Sequence, residues 1–281
     1  MNNYKLLIFD EIDSTNLEAI RIAKTNPSLN YAILAKTQTQ GRTRNGKKWQ
    51  SLPGNLHASL LLKPNKELTL FPQLSFVTGL AVYDTINALI ISKPYSNDLE
   101  NWNVKQGVST RSVVKLREYA NPSKFYEANS SKQKSIKLKW PNDILINDKK
   151  ISGILLESLT VSNNNYLIIG VGINIIDNPV NIDQLTTSFS AENMTIHEPT
   201  TLLDIFIVNF EKYYQIWEQK GFTEIRKAWL EKAYKLHESV TINDGNTPVN
   251  GIFKGIDELG RIIIQLPSKK ISHFVAGELS F

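Results

Sequence analysis

Cysteine is absent from this chain of 281 residues. Disulfides, thiolate nucleophiles and Cys-ligated zinc are therefore excluded. Histidine is nearly as scarce. His57, His197, His237 and His273 lie far apart, and none forms a pair at metal-ligand spacing, so no dedicated metal centre is expected. Long apolar runs are missing too. LIIGVGINII, residues 167–176, falls well short of the roughly 20 residues that span a bilayer and reads as a buried strand. The start, MNNYKLLIFDEIDS, has no basic segment followed by an apolar one, so no signal peptide is expected. Neither sign of charge dominates. The 32 basic and 27 acidic residues leave +5, which is mild for a dedicated nucleic-acid binder but useful for phosphate chemistry. A cytoplasmic protein that binds neither membrane nor nucleic acid fits these absences.

What is present is a 41% hydrophobic chain, long enough for one large core and a small second domain. Residues 4–10 predict a strand, and Thr15 with Glu18 forms a capping box before a helix. Residues 31–36 and 56–62 predict strands, and 71–91 a helix with Pro72 at its start. Residues 92–135 are polar, rich in Asn, Ser and Lys, and read as a long surface insertion. Strands return at 137–147, 150–159 and 166–176, with a hairpin turn at Asn147–Lys150. Helices are expected at about 200–219 and 223–236, capped by Thr200 or Thr201 and by Thr223, with Gly221 between them. Their aromatic residues, Phe206, Phe210, Tyr214, Trp217 and Trp229, read as core. From residue 238 short strands alternate with turns at Asp244-Gly245, Glu258-Leu259-Gly260 and Pro267-Ser268, the pattern of a small β-barrel. The division is thus residues 1–236 and 237–281, with an α+β fold in the first.

Three constellations carry chemistry. Gln38 to Trp49 places Arg42 and Arg44 between Gly41 and Gly46, with Lys47 and Lys48 directly after, so four cations fall within seven residues. Glycine lets backbone approach a ligand, and arginine forks match phosphate and carboxylate oxygens; a solvated basic loop would look similar. It is not a phosphate loop of the G-x-x-x-x-G-K-[ST] kind, because Lys48 stands at the hydroxyl position and Pro53-Gly54 prevents the following helix. Lys139-Trp140-Pro141-Asn142-Asp143, with Lys150 beyond the turn, offers cations for phosphate and an amide and carboxylate for a cation or hydroxyl; a Pro-Asn turn with exposed lysines is the plain alternative. In Ile169–Ile175, alternation puts Gly170, Gly172 and Asn174 on one strand face, leaving room for a flat ligand or a closely packed helix. Ser14, Thr15 and Asn16 at a helix start can cap it or donate to a ligand.

Taken in this order, the segments resemble the biotin protein ligases. The resemblance runs through Asp13–Asn16, the Gln38–Trp49 loop, SLPGNLHASLLL, KWPNDI, KKISGILLE, IGVGIN and the terminal GELSF, and leaves out 92–135 and much of 177–199. It implies a class II synthetase-like mixed sheet with flanking helices, followed by a small SH3-like barrel. It implies activation of biotin by ATP with Mg2+ to biotinyl-5'-AMP, then transfer to a lysine of a biotin carboxyl carrier domain. On this resemblance Ser14, Thr15, Asn16 and Gln38 hold the biotin head, and Gly153, Leu155, Gly170 and Gly172 line its slot. Gly41, Arg42, Thr43 and Arg44 fold over biotin and phosphates, and Lys150 contacts the reacting carboxylate and α-phosphate. Arg44, Lys47, Trp49, Lys139, Asn142, Asp143 and Asn174 serve the nucleotide, and Arg42, Arg44, Lys150 and Asp143 carry catalysis. No metal cage is implied; magnesium arrives with ATP, near Asp143.

The sequence departs from the family pattern at Thr43, where glycine is usual, and at Lys47, where arginine is common. The insertion at 92–135 and the end at Phe281 also depart. Lys150 is out of phase with Gly153 on a regular strand, so a bulge or turn must reconcile them. The first motif begins at Ser14, so no N-terminal DNA-binding domain and no operator binding are expected. A homodimer is left open. The alternatives are a lipoate or octanoate ligase or transferase of similar fold, and a non-catalytic biotin-binding relative.

Overall fold

In the computed structural model, residues 4–44, 46, 48–91, 134–180, 184–245 and 247–280 are described. Nearly all of the 92–135 insertion, and Lys47, lie outside them. A seven-stranded mixed sheet is built from β1 (Tyr4–Ile12), β2 (Asn30–Gln38), β3 (Leu56–Leu62), β4 (Ile136–Lys139), β5 (Asp143–Ile146), β6 (Lys149–Val161) and β7 (Asn164–Ile173). Its order is β1-β2-β3-β7-β6-β5-β4. Only β1 and β2 run parallel, joined by α1 (Thr15–Lys24); the other neighbours are antiparallel.

Strand alternation decides which face carries what. Leu34, Ala58, Val171 and Ile154 point to the main core, where α2 (Leu74–Ile91) and α3 (Pro199–Lys220) cover the sheet. Leu56, Leu60, Ile169, Phe206, Phe210 and Trp217 are all buried there. The aromatic residues expected to pack do so, and Trp229 joins them from α4 (Phe222–Leu230). On the opposite face Ala19 and Ala23 of α1 rest on Ile33, Leu61 and Ile168. Because α1 is short, it covers only one end of that face.

The remaining strands, β8 (Ser239–Asn243), β9 (Val249–Ile256), β10 (Ile262–Gln265), β11 (Ile271–Phe274) and β12 (Glu278–Ser280), form a five-stranded antiparallel sheet in the order β11-β10-β9-β8-β12. Its β9–β10 turn docks on the larger unit. Trp140 Nε1 donates to Gly260 O at 3.1 Å, and Gln73 Nε2 donates to Glu258 O at 2.9 Å. Gly260 has φ 79°, and a Cβ there would lie 2.5 Å from the Phe76 ring, so glycine meets both a conformational and a steric demand.

Several local expectations are corrected. Residues 137–147 are two strands, not one: the chain turns at Trp140–Asn142, where Pro141 has no N–H for a ladder and Trp140 is buried against the barrel. Ser14, not Thr15, caps α1, accepting from Leu17 N at 3.4 Å, because Thr15 is engaged with Gln38. Pro199 opens α3 after Glu198, leaving Thr200 and Thr201 inside the first turn. Gly221, φ 79°, both ends α3 and starts α4, so Thr223 is not a cap. The last helix stops at Leu230 rather than 236, because the backbone beyond it is taken by β4: Leu138 N donates to Lys232 O and Tyr234 N to Leu138 O, at 2.9 and 2.8 Å.

Candidate active site

The sheet face left open beyond α1 holds the site, and its geometry follows from register. Three cross-strand rows run over it. The first, Leu61–Ile168–Glu157, is the floor beneath α1. The second, Ser59–Gly170–Leu155, and the third, His57–Gly172–Gly153–Asp143, lie progressively further out. Along β7 the inward residue shrinks from isoleucine to glycine, so the surface drops into a trench with bare backbone at its bottom.

The near end of the trench is a hydrogen-bonded polar cluster. Thr15 N and Oγ1 donate to Gln38 Oε1 at 2.8 and 3.1 Å. Gln38 Nε2 donates to Ser51 Oγ at 3.1 Å. Asn16 Nδ2 donates to Glu157 Oε2 at 2.7 Å, while Asn16 Oδ1 accepts from Ser59 Oγ. Ser14, Thr15, Asn16 and Ser59 are all buried. Gly170 makes room for this: a Cβ there would lie 2.4 Å from Asn16 Oδ1.

The basic loop closes over the trench. Arg42 pairs with Lys48 in a short antiparallel bridge, Trp49 N donates to Gly41 O at 2.9 Å, and Gly46 turns with φ 70°. Gly41 permits this closure, since a Cβ would stand 2.8 Å from the Trp49 carbonyl oxygen. Arg42 Nη2 reaches both Glu157 oxygens, at 3.0 and 2.9 Å. Arg44 Nη2 crosses to the small sheet and donates to Gly277 O at 2.8 Å. Thr43 lines the cleft beside them.

The far end is ionic. Lys150 Nζ sits 2.7 Å from Asp143 Oδ1. The anticipated bulge exists: Ile144 pairs with Ser152 but Leu145 pairs with Lys150, so the register skips Ile151 and turns Lys150 onto the face of Gly153. Asn142 holds the same corner, donating Nδ2 to Ile154 O at 2.6 Å. Lys139 adjoins it; burial lowers its pKa, the Asp143 and Glu278 carboxylates oppose that, and Lys150 adds to it. The stretch after β7 returns to flank Lys150, whose N–H donates to Leu185 O at 2.9 Å and whose carbonyl accepts from Thr187 N at 2.8 Å.

Most residues singled out from sequence thus border one cleft: Ser14, Thr15, Asn16, Gln38, Arg42, Thr43, Arg44, Trp49, Asn142, Lys150, Gly153, Leu155, Gly170 and Gly172. Gly41, Lys139 and Asp143 do not line it, though Asp143 reaches it through its ion pair with Lys150. Asn174 does not line it: the residue is buried past the end of β7, with Nδ2 donating to Thr187 O at 2.9 Å and Oδ1 buried without a partner. The sequence does not single out Ser59, His57 or Glu157. Parity from Gly153 and Leu155 puts Glu157 on the same face, but its partners Asn16 and Arg42 are far away in the chain. Asn55 is also missed. Its buried Oδ1 accepts from Ile175 N and Ile176 N at 2.8 and 2.9 Å and fixes the exit of β7.

The cleft pairs an amide-and-hydroxyl cluster with a cationic end across a glycine floor. That suits a ligand with a neutral polar head and an anionic reacting end. The pattern of the Biotin/lipoate A/B protein ligase family matches residues 8–174, and that of the biotin protein ligase C terminal domain matches 236–281. The chain belongs to the biotin protein ligase family. It is 30% identical over 264 residues to the biotin--[acetyl-CoA-carboxylase] ligase of Paracoccus denitrificans, covering 91% of this chain and 92% of that protein. It is 28% identical to the bifunctional ligase/repressor BirA of Bacillus spizizenii, over 92% of this chain and 69% of that protein. The biotin protein ligase of Aquifex aeolicus, solved in complex with biotin and ATP, superposes with a TM-score of 0.71 at 25% identity over 98% of this chain and 97% of its own. Among the described residues no group of three or more His, Asp or Glu could hold a metal ion, and Asp143 is already engaged by Lys150. The described residues build no magnesium cage. Magnesium carried on nucleotide phosphates fits them better, as is common for that ion.

Proposed function

We propose that the chain activates biotin with ATP and transfers it to a lysine of a biotin carboxyl carrier domain. The observation that carries this reading is the two-ended trench, with the Thr15–Gln38 and Asn16–Ser59 cluster at one end and Lys150–Asp143 at the other, joined by Gly170 and Gly172. In the first step a biotin carboxylate oxygen bonds to the α-phosphorus of ATP, the bond to the β-phosphate oxygen breaks, and pyrophosphate leaves. In the second step the carrier's lysine amine attacks the acyl carbon and AMP leaves. The chain needs no nucleophile of its own. Its contribution is positioning and stabilisation of negative charge.

Ser14, Thr15, Asn16 and Gln38 hold the biotin ureido head. Gly153, Leu155, Gly170 and Gly172 line the slot. Arg42, Arg44 and Lys150 face the carboxylate and phosphates, and Trp49, Lys139, Asn142 and Asp143 face the nucleotide. Asn174 acts from behind the floor by bracing Thr187 against Lys150. Lys150 exchanges Asp143 for the forming acyl phosphate, and Asp143 keeps it aimed. Residues 1–236 act as the catalytic unit, and 237–281 as the barrel that meets Arg44. The protein works in the cytoplasm without binding nucleic acid. Pairing through the edge strand β1, where Leu6 and Ile8 are 45% and 54% exposed, gives a homodimer by sheet extension. The test is incubation with Mg-ATP, biotin and a purified carrier domain, read as the mass added to its lysine. Addition of biotin, and none of lipoate when that acid is offered instead, is expected; lipoate addition alone overturns the substrate.

A further inference from the structure

His57 is the largest polar side chain on the third row. It pairs in register with Gly172 across β3 and β7, so its imidazole stands beside bare backbone. The Trp49 indole lies over that backbone: a Cβ on Gly172 would be 2.3 Å from Trp49 Cζ2, and one on Gly153 would be 3.2 Å from Cζ3. The indole Nε1–H points at His57 Nδ1, 3.3 Å away, and His57 Nε2 lies 3.2 Å from Leu52 O. An indole nitrogen only donates, so Nδ1 must accept and Nε2 must carry the proton, which it gives to the carbonyl. One tautomer of a neutral ring satisfies both contacts. Burial, opposed by the Leu52 contact, keeps the ring below its ordinary pKa and so neutral near pH 7.

We infer that His57 is a positioning residue for the nucleotide step: it fixes the Trp49 ring across the Gly172–Gly153 floor, so that the ring shares the space over Gly153 with Lys150 and its face bounds the base. The inference rests on the proposed placement of Trp49 on the nucleotide side. The arrangement also explains the unlike neighbours of Trp49. One end of the ring is held by a hydrogen bond, while Cζ3 at the other end and Lys150 Cε each lie 3.2 Å from where a Cβ on Gly153 would stand. Rotation of the indole would break the first contact and open the space beside the second.

The test uses the full chain with His57→Leu, His57→Asn and His57→Gln. Asn places an acceptor near the Nδ1 position and Gln near the Nε2 position, so only Asn restores the indole contact. The first readout is the indole N–H resonance of Trp49 in a 1H–15N spectrum, assigned by its loss in Trp49→Phe. The second is the ATP dissociation constant by calorimetry, beside that for biotin. In His57→Leu the resonance should move upfield and ATP binding weaken about two- to tenfold, the worth of one hydrogen bond. Biotin binding should stay within about twofold on the same scale. His57→Asn should recover both readouts, His57→Gln should not, and His57→Leu should add nothing in the Trp49→Phe background. An unmoved resonance, or equal weakening of biotin and ATP, overturns the inference. Failure of the wild-type chain to form an adenylate would instead fall on the proposed function, since the resonance and the dissociation constants need no turnover.

Discussion

Gly170→Ala tests whether the trench is as tight as its geometry requires. The backbone there is ordinary strand, so alanine is tolerated conformationally and should return about 0.5–1 kcal/mol of backbone entropy. The steric demand points the other way. The new methyl would lie 2.4 Å from Asn16 Oδ1, where real contacts do not approach within 3.0 Å. Asn16 cannot retreat, because it is the second residue of α1, only 4% exposed, and held by Ser59 and Glu157. Moving it breaks both hydrogen bonds, at about 0.5–1.5 kcal/mol each, and leaves buried polar atoms unpaired. Against the entropy gain, folding should lose about 0–2.5 kcal/mol from the two bonds. The biotin end should lose more, because both the Asn16 amide and the slot depth change. A biotin dissociation constant about 5- to 100-fold weaker is expected by calorimetry, with the thermal midpoint nearly kept. Gly172→Ala is the internal control. Its methyl would strike the Trp49 ring as well as enter the slot, so ATP binding should weaken along with biotin binding, which Gly170→Ala should not show. Biotin affinity unchanged within about twofold in Gly170→Ala would refute the packing argument.

Other predictions follow from the same geometry. Lys150→Ala should slow adenylate formation by about a hundredfold or more, well beyond any effect of the stability lost with the Asp143 ion pair, about 1–3 kcal/mol; retained activity within a fewfold contradicts its assignment. Gly260→Ala should destabilise the chain by about 1–3 kcal/mol in chemical denaturation, since the residue needs φ 79° and its methyl would strike Phe76; no change would mean that the β9–β10 turn is not firmly docked. Burial lowers the pKa of His57 and of His197. A folded pKa below the unfolded value means that the unfolded chain binds the proton first. Their contribution is therefore complete above the ordinary value of 6.5 and is lost as pH falls through it. The thermal midpoint should drop between about pH 7.5 and pH 5 and drop less in His57→Asn; parallel curves would contradict the assignment.

Much of this was legible in the chain. Alternation alone placed Gly170 and Gly172 together, and the phase conflict between Lys150 and Gly153 announced the bulge at Ile151. Caps were less legible, because Ser14, Thr15, Pro199 and Gly221 each offer a valid helix start or stop, and tertiary contacts choose among them. Thr15 is claimed by Gln38, and the backbone beyond Leu230 by β4. Asn174 shows where parity stops helping: it continues the glycine alternation in sequence, but β7 ends at Ile173, and the residue turns into the protein. Glu157, Ser59 and His57 stayed silent because their chemistry lies in long-range contacts. Nothing local to His57 announces Trp49 as its partner, and nothing local to Glu157 announces Asn16 or Arg42.

The most direct test of the central claim is acyl-adenylate formation without any acceptor. The purified chain is mixed with Mg-ATP and either biotin or lipoate, and the product is sought by mass spectrometry. Biotinyl-5'-AMP, with no lipoyl-AMP, is the predicted result. An adenylate with lipoate alone would contradict the substrate, and no adenylate with either acid would contradict the claim that this cleft activates biotin.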